Sequence, residues 1–385
     1  MLDTIVLTLN RRQFRVTDPD KFTPSARSVL DPMYYPRGAN GRVSCTQNPS
    51  KEDIQQRIYK PRLSINRRPQ KGRFVITLRV EFSAPKLLLG NNFDELTDDD
   101  FKQLCKKLVQ VLADMGVKIT ARTLAKVNVS AIHYSKNITL TDYTSSSMIL
   151  SELAKVDMTR RLDINNTDYR NGGHALKYHA NSYEIAFYDK VKDMHQAKIS
   201  EKRAVEKDSV QQLDLFMQYV APKAFEVLRM EVRLGTRQKI RDVLARVGRK
   251  PENMSFYQLY NAEIAREILL YYWHSVVSDV TWLGMNQLKP EDIYRAIERG
   301  SDAPLRPAKI LQMVGAVIIA DSVGVMGLRN LLGSTDRSWQ RLKKELKALD
   351  IPKHKHYRAA DQVEASLQSF LPLRIINQQK GGNTP

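Results

Sequence analysis

The chain has 385 residues, 42% hydrophobic and 27% charged, the balance of a globular protein with room for two or three domains. Its 61 Lys and Arg exceed its 42 Asp and Glu, and the net charge of +19 points to a polyanionic partner, nucleic acid first, because neutralised phosphates release counterions. No apolar run approaches the roughly 20 residues of a membrane-spanning helix, and Cys45 and Cys105 lie far apart without CxxC spacing, so neither a zinc site nor a disulfide framework is indicated.

Leu2 to Leu9 alternates apolar and polar residues and reads as a strand; the opening MLDTIVLTLNRRQF is charged too early for a secretory signal, so the cytoplasm is the expected location. From about residue 19 to 57 Pro, Gly, Ser and Asn dominate, the composition of a long loop. Lys51 to Arg79 carries nine basic residues against two acidic ones. Within it Arg67, Arg68, Lys71 and Arg73 gather around Pro69 and Gly72, as at a hairpin tip that grips phosphates, although a solvated loop has the same composition.

Phe74, Ile76, Leu78, Val80 and Phe82 form one face of a strong strand, with Thr77, Arg79 and Glu81 on the other. Thr97 or Asp98 caps a helix that runs to Met115 and stops at Gly116. Val117 to Ile119 reads as a short strand. Leu124 to Ile132 reads as another, with Val127, Val129 and Ala131 inward. A helix follows over roughly 143–156, then a hairpin of Ala175–His179 and Tyr183–Tyr188. Residues 189–212 mix both charges and predict an exposed helix. Ala224 to Leu234 is the next strand, with Leu228, Met230, Val232 and Leu234 in the buried row and Arg229, Glu231 and Arg233 opposite.

Beyond Thr236 the pattern is helical. The order predicts an α+β fold: an antiparallel-rich sheet domain with helices on one face over 1–235, an all-helical domain over 236–377, and a polar tail over 378–385. Leu328 to Leu332, a turn at Gly333 and a basic helix from Asp336 to Leu349 describe a helix-turn-helix that would present Arg337, Arg341 and Lys344 to DNA; an ordinary helical hairpin with a solvated basic face fits the same pattern.

Chemistry concentrates at NSYEIAFYDKVKDM. Tyr188 stands where a strand hands over to a helix, on the face opposite Phe187, with Lys190 beside it. A phenol is a poor nucleophile at neutral pH, and a neighbouring ammonium favours its phenolate, so Tyr-x-Lys at a strand end is a candidate activated nucleophile. The bland alternative is a surface tyrosine opening an amphipathic helix. By strand parity Tyr183 points away from Tyr188, while Tyr178 stays open as a second hydroxyl.

Glu231, between Arg229 and Arg233, is either an ion-paired carboxylate or a ligand for Mg²⁺ or Mn²⁺ beside phosphate-binding arginines; Glu81 is a second polar-face carboxylate. His133 and His179 sit near strand ends as ligands or ordinary imidazoles. His354-Lys355-His356 imitates a two-histidine metal motif with the wrong middle residue.

Taken in order, MLDTIVL, RVEFSAPKLLLGNN, AKVNVSA, EIAFYDKVKD, LRMEVRLGTRQKI and WQRLKKELKALDIPK make the chain similar, over most of its length, to the filamentous-phage gene II/X family of rolling-circle replication initiators. The resemblance implies a nicking-joining endonuclease whose strand tyrosine, Tyr188 here, forms a 5′-phosphotyrosine link with Lys190 two places on. It carries family glutamates onto Glu231 and Glu81. Origin duplex, nicked single strand, and a host helicase and polymerase in the bacterial cytoplasm are the implied partners. One position departs: the family often has Arg-x-Asp where this chain has Lys126-Val127-Asn128, so a neutral Asn128 would replace a charged metal ligand. The alternative reading is a non-catalytic, sequence-specific DNA-binding initiator or repressor.

Overall fold

Alternation of apolar and polar side chains with period two places one row of each strand against a core and leaves the other row polar. The computed structural model describes residues 1–35, 42–50, 58–71, 73–141, 144–154, 168–170, 174–193, 226–250, 254–277, 289–300, 304–333, 336–348 and 358–375, with 52, 53, 56 and 252 as isolated positions. Its strands are β1 (Leu2–Asn10), β2 (Arg15–Val16), β3 (Val43–Gln47), β4 (Arg62–Gln70), β5 (Arg73–Ser83), β6 (Val117–Lys118), β7 (Val129–Thr139), β8 (Asp168–Arg170), β9 (Ala175–Ala180), β10 (Tyr183–Asp189) and β11 (Val227–Leu234). Nine of them form one antiparallel sheet in the order β3-β4-β5-β1-β7-β11-β10-β9-β8, and β2 pairs with β6 apart from it.

The helices in chain order are α1 (Arg27–Leu30), α2 (Ala84–Leu89), α3 (Phe101–Asp114), α4 (Ala121–Lys126), α5 (Ser146–Ala154), α6 (Arg237–Arg246), α7 (Phe256–Leu259), α8 (Ala262–Val277), α9 (Pro290–Gly300), α10 (Pro307–Leu332), α11 (Asp336–Ala348) and α12 (Arg358–Ser369). Mixed helix and antiparallel sheet is thus the fold. None of the described helices is long and apolar enough to cross a membrane.

Local chemistry sets the boundaries. Thr97 and Asp100 form a reciprocal capping box ahead of α3, and Gly116 ends that region at φ +81°. A Cβ on Gly116 would meet Asp18 Cβ at 2.8 Å and Asp18 O at 3.1 Å, so the close approach of the β2 side admits only glycine.

Three expectations are corrected. Val43–Gln47 is an edge strand inside the expected loop; only Cys45 faces the core, too little alternation to see. Leu124 belongs to a helical turn capped by Thr120, and β7 starts only at Val129. Ser130 is then an extra residue: Leu7 pairs with Val129 but Val6 with Ala131. This bulge puts Val129 and Ala131 on opposite faces, so parity read through it fails.

Contacts also cross the boundary expected at residue 235. Trp273 of α8 packs edge-on against Phe187 of β10 at 6.1 Å. Phe256 of α7 meets Phe82 of β5 at 6.0 Å. The Tyr134 hydroxyl donates to Leu259 O at 2.9 Å. Helices α6, α8 and α12 all touch β7 or β11. These segments pack on the sheet and add to its core, while α10 packs against α9 and α11.

A chain ending at Gly235 would leave Phe187, Tyr134 and Phe82 without their helical partners. We expect such a truncation to lose cooperative thermal unfolding, followed by near-ultraviolet circular dichroism; a sharp transition like that of the full chain would refute the shared core.

Candidate functional site

Strand β11 supplies Arg229, Glu231 and Arg233 to the polar face, and its neighbours supply the rest. Tyr188 pairs with Arg229, Ala186 with Glu231 and Glu184 with Arg233 on one side; on the other, Asn137, Ser135 and His133 of β7 stand opposite the same three residues. In-register antiparallel partners share a face, so Tyr188, Glu231 and both arginines are necessarily neighbours. Asp189 ends β10 and its Oδ1 accepts from Lys192 N at 2.9 Å, which starts the helical turn carrying Lys190.

Tyr188 is half-buried, and its hydroxyl donates to Glu231 Oε2 at 3.1 Å. Arg233 donates to both oxygens of the same carboxylate, Nε to Oε1 at 2.9 Å and Nη2 to Oε2 at 3.2 Å, and His133 Nδ1 lies 3.4 Å from Oε1. Burial works against a charge on Glu231, but Arg233 and then His133 outweigh it and hold the acid well below the usual carboxylate range. Arg233 Nη1 also bridges to Glu184 at 2.8 Å, and Glu184 in turn pairs with His179 at 2.9 Å.

Arg229 is fully buried. Its Nε donates to Asn137 Oδ1 at 2.8 Å and its Nη2 to Asn92 O at 2.7 Å. Arg229 lies against the Tyr188 hydroxyl, yet among the described residues its Nη1 makes no hydrogen bond. Lys190 is 1% exposed; its Nζ donates to Asn92 Oδ1 at 2.8 Å and sits 5.9 Å from the centre of the Tyr188 ring.

Lys190 lies beside the phenol, but other influences set the phenol's proton affinity. Burial, and next the Glu231 carboxylate, push the Tyr188 phenol well above its ordinary value. Burial, and next the Arg229 charge, lower Lys190 to about 7. The resting state is a neutral phenol bonded to a carboxylate, with a lysine poised to gain or lose a proton near neutrality. The segment expected to be an exposed helix therefore begins with a buried residue; 194–212 lie outside the described residues.

The ligand set expected for Mg²⁺ or Mn²⁺ does not assemble. Glu81 pairs through Val6 and Ala131, three strands and four residues from the Glu231 level, on the order of 20 Å at about 4.8 Å per strand and about 3.3 Å per residue. It pairs with Arg79 at 2.9 Å instead. Asn128 is exposed and bridges to Ser255, seven residues and roughly 23 Å along β7 from Ser135. Both oxygens of Glu231 are engaged, and Arg233 fills the space that Glu231 and Glu184 would offer a cation. Among the described residues no group of three or more His, Cys, Asp or Glu that could hold a metal ion occurs.

Other sites are placed as follows. Tyr178 and Tyr183 both face away from Tyr188: Tyr178 is buried with its hydroxyl donated to Leu153 O, and Tyr183 packs on Tyr272. Arg67 does not reach out to phosphate; it points to the core side, sandwiched between the rings of Tyr35 and Phe74. Arg68, Lys71 and Arg73 are exposed at the hairpin tip. Arg337, Arg341 and Lys344 are exposed on α11, which follows α10 through a turn at Gly333 (φ +53°), with Trp339 buried. His354 and His356 lie outside the described residues.

Asn92 and Asn137 were missed. They come from a loop and a strand 45 positions apart and jointly hold Arg229 and Lys190. The loop is itself pinned: Glu95 Oε1 accepts from Asn137 N at 2.6 Å, Leu373 N donates to Glu95 Oε2 at 2.9 Å, and Ile375 N donates to Asp94 Oδ1 at 2.8 Å. The polar run NNFDE in a basic chain is the available signal.

No family model matches the chain, and neither a curated protein nor a solved structure matches it.

A lysine lowered from 10.5 to about 7 by folding disfavours the native state wherever the unfolded chain holds that proton more tightly. The penalty is full below pH 7, shrinks as pH rises to 10.5 because the unfolded state alone binds the proton there, and vanishes above. Relative to Lys190→Met, the wild type should gain stability between pH 7 and 10.5 and show a flat difference below 7; urea unfolding across that range measures it. A difference that is constant with pH would show that Lys190 titrates normally.

Proposed function

We propose that the chain is a DNA nicking and joining enzyme of the rolling-circle initiator type, acting through a covalent tyrosine link at Tyr188. The observation that carries this reading is the phenol donated to a carboxylate beside a buried arginine whose Nη1 lacks an acceptor. Such an arginine can still donate a hydrogen bond from its Nη1 to an anion, and a substrate phosphate would supply one. The family resemblance supports the same reading, as does the net charge of +19.

In the proposed step the Tyr188 proton passes to Glu231 and the phenolic oxygen attacks a backbone phosphorus. The P–O3′ bond breaks, and the departing 3′ oxygen takes a proton from the Lys190 ammonium. A 5′-phosphotyrosine and a free 3′-hydroxyl result. Arg229 and Arg233 stabilise the added negative charge. Glu231 is a weak base while Arg233 holds it; a phosphate that draws Arg233 toward itself raises that basicity at the moment it is needed. The reverse sequence rejoins the strand without an external energy source, because the phosphotyrosine conserves the phosphodiester.

Arg337, Arg341 and Lys344 on α11 would hold duplex DNA, in a helix-turn-helix if α11 lies in the major groove. Arg68, Lys71 and Arg73 would contact phosphates from the hairpin tip. A non-catalytic DNA-binding initiator or repressor is favoured by one observation, the resting ion pair of Glu231 with Arg233.

Incubation with supercoiled origin DNA, with and without Mg²⁺ or Mn²⁺, separates the two readings. We expect a denaturation-resistant protein–DNA adduct that Tyr188→Phe abolishes. Glu231→Gln and Arg229→Gln should each slow adduct formation by about 10²- to 10³-fold, the usual cost of removing one base or one charge-stabilising donor. Binding without an adduct under every condition would leave the non-catalytic reading.

A further inference from the structure

At the end of the β4–β5 hairpin Arg67 lies between two rings, its guanidinium carbon 3.7 Å from the centre of Tyr35 and 3.8 Å from that of Phe74. Among the described residues no carboxylate pairs with Arg67, and the two rings cover its guanidinium, as that group's weakly hydrated faces permit. The sandwich fixes Phe74 in place while 55% of Phe74 remains exposed. A large aromatic held rigidly against water is unfavourable in the free protein. Its surroundings indicate what would cover it. Pro69 stands opposite Phe74 in the register, Lys71 makes the turn at φ +48°, and Arg73 and Arg68 project from the other face of the same tip. Met33 and Tyr34, just before Tyr35, are also exposed.

We propose that the outer face of Phe74 is a stacking platform for an unpaired base of single-stranded DNA, whose flanking phosphates rest on Lys71, Arg73 and Arg68. A base would extend the existing stack of Tyr35, Arg67 and Phe74 by one layer, and the three cations match the charge of a strand bent around the tip. A duplex keeps its bases stacked on each other and offers only phosphates there, so the platform selects the unpaired strand. Arg67, which the sandwich withholds from phosphate, is the positioning residue that preorganises the ring. The inference rests on the reading that DNA is the substrate and adds to it a site for the strand released by nicking.

The test titrates the full-length protein into a single-stranded oligonucleotide of about 12 nucleotides, within the usual site size, carrying one 2-aminopurine, and into the same sequence as a duplex. Wild type should quench the 2-aminopurine of the single strand on binding. Phe74→Ala should abolish the quench and weaken single-strand binding by about five- to a hundredfold, with little change for the duplex, while Phe74→Trp should keep both. The platform is overturned if Phe74→Ala binds and quenches like wild type, if it weakens both DNA forms equally, or if wild type binds without quenching. Adduct formation at Tyr188, measured on the same samples, decides the nicking reading separately: an adduct with no quench ends the platform alone, and a Phe74-dependent quench with no adduct ends the nicking step alone.

Discussion

A guanidinium taken out of water must be fully paired or it weighs heavily against folding. Among the described residues Arg229 donates from two of its three nitrogens, to Asn137 and Asn92, and the group lies against Tyr188. That buried charge shapes its surroundings. Burial and then the Arg229 charge lower Lys190, and burial and then Glu231 keep the neighbouring Tyr188 phenol protonated.

Holding Arg229 so firmly requires a brace from outside the sheet. Strand β7 outruns β1 past Tyr134, leaving its last backbone groups without a strand partner on that side. The Glu95 side chain accepts the Asn137 N–H there and bonds the Lys136 ammonium at 2.6 Å. The same carboxylate accepts from Leu373 N, and Arg374 joins Glu95 O and Asp100. One acidic loop therefore ties the end of the helical segment to the chemistry-bearing strands. This brace and the shared core of α6 to α8 make the chain's two halves interdependent, although composition alone divides them neatly at residue 235.

Much of the sheet could be read in the residues. Phe74 to Phe82, Tyr183 to Tyr188 and Leu228 to Leu234 each present an unbroken alternation, and each is a strand with the expected face inward. Helix α3 announced itself through Thr97 and Gly116 because caps and stops are local chemistry. The misreadings have equally local causes. One extra residue at Ser130 reverses parity in β7, and an edge strand with a single inward residue, Cys45, carries almost no signal. Arg67 looked like the other basic residues of its hairpin because charge composition does not say which face of a strand a residue is on, nor that two rings wait there.

The amino-acid order was enough to put Tyr188, Glu231, Arg229 and Arg233 on polar rows at strand positions, since period two is a property of the strand itself. Which strands lie side by side is not. Register across β10, β11 and β7 decided that Tyr188 meets Glu231, and it separated Glu231 from Glu81 and Asn128. Proton affinities were decided later still, by burial and by the charges folding assembles: the lysine expected to activate the phenol is itself lowered to about 7, because its ammonium was moved out of water beside another cation.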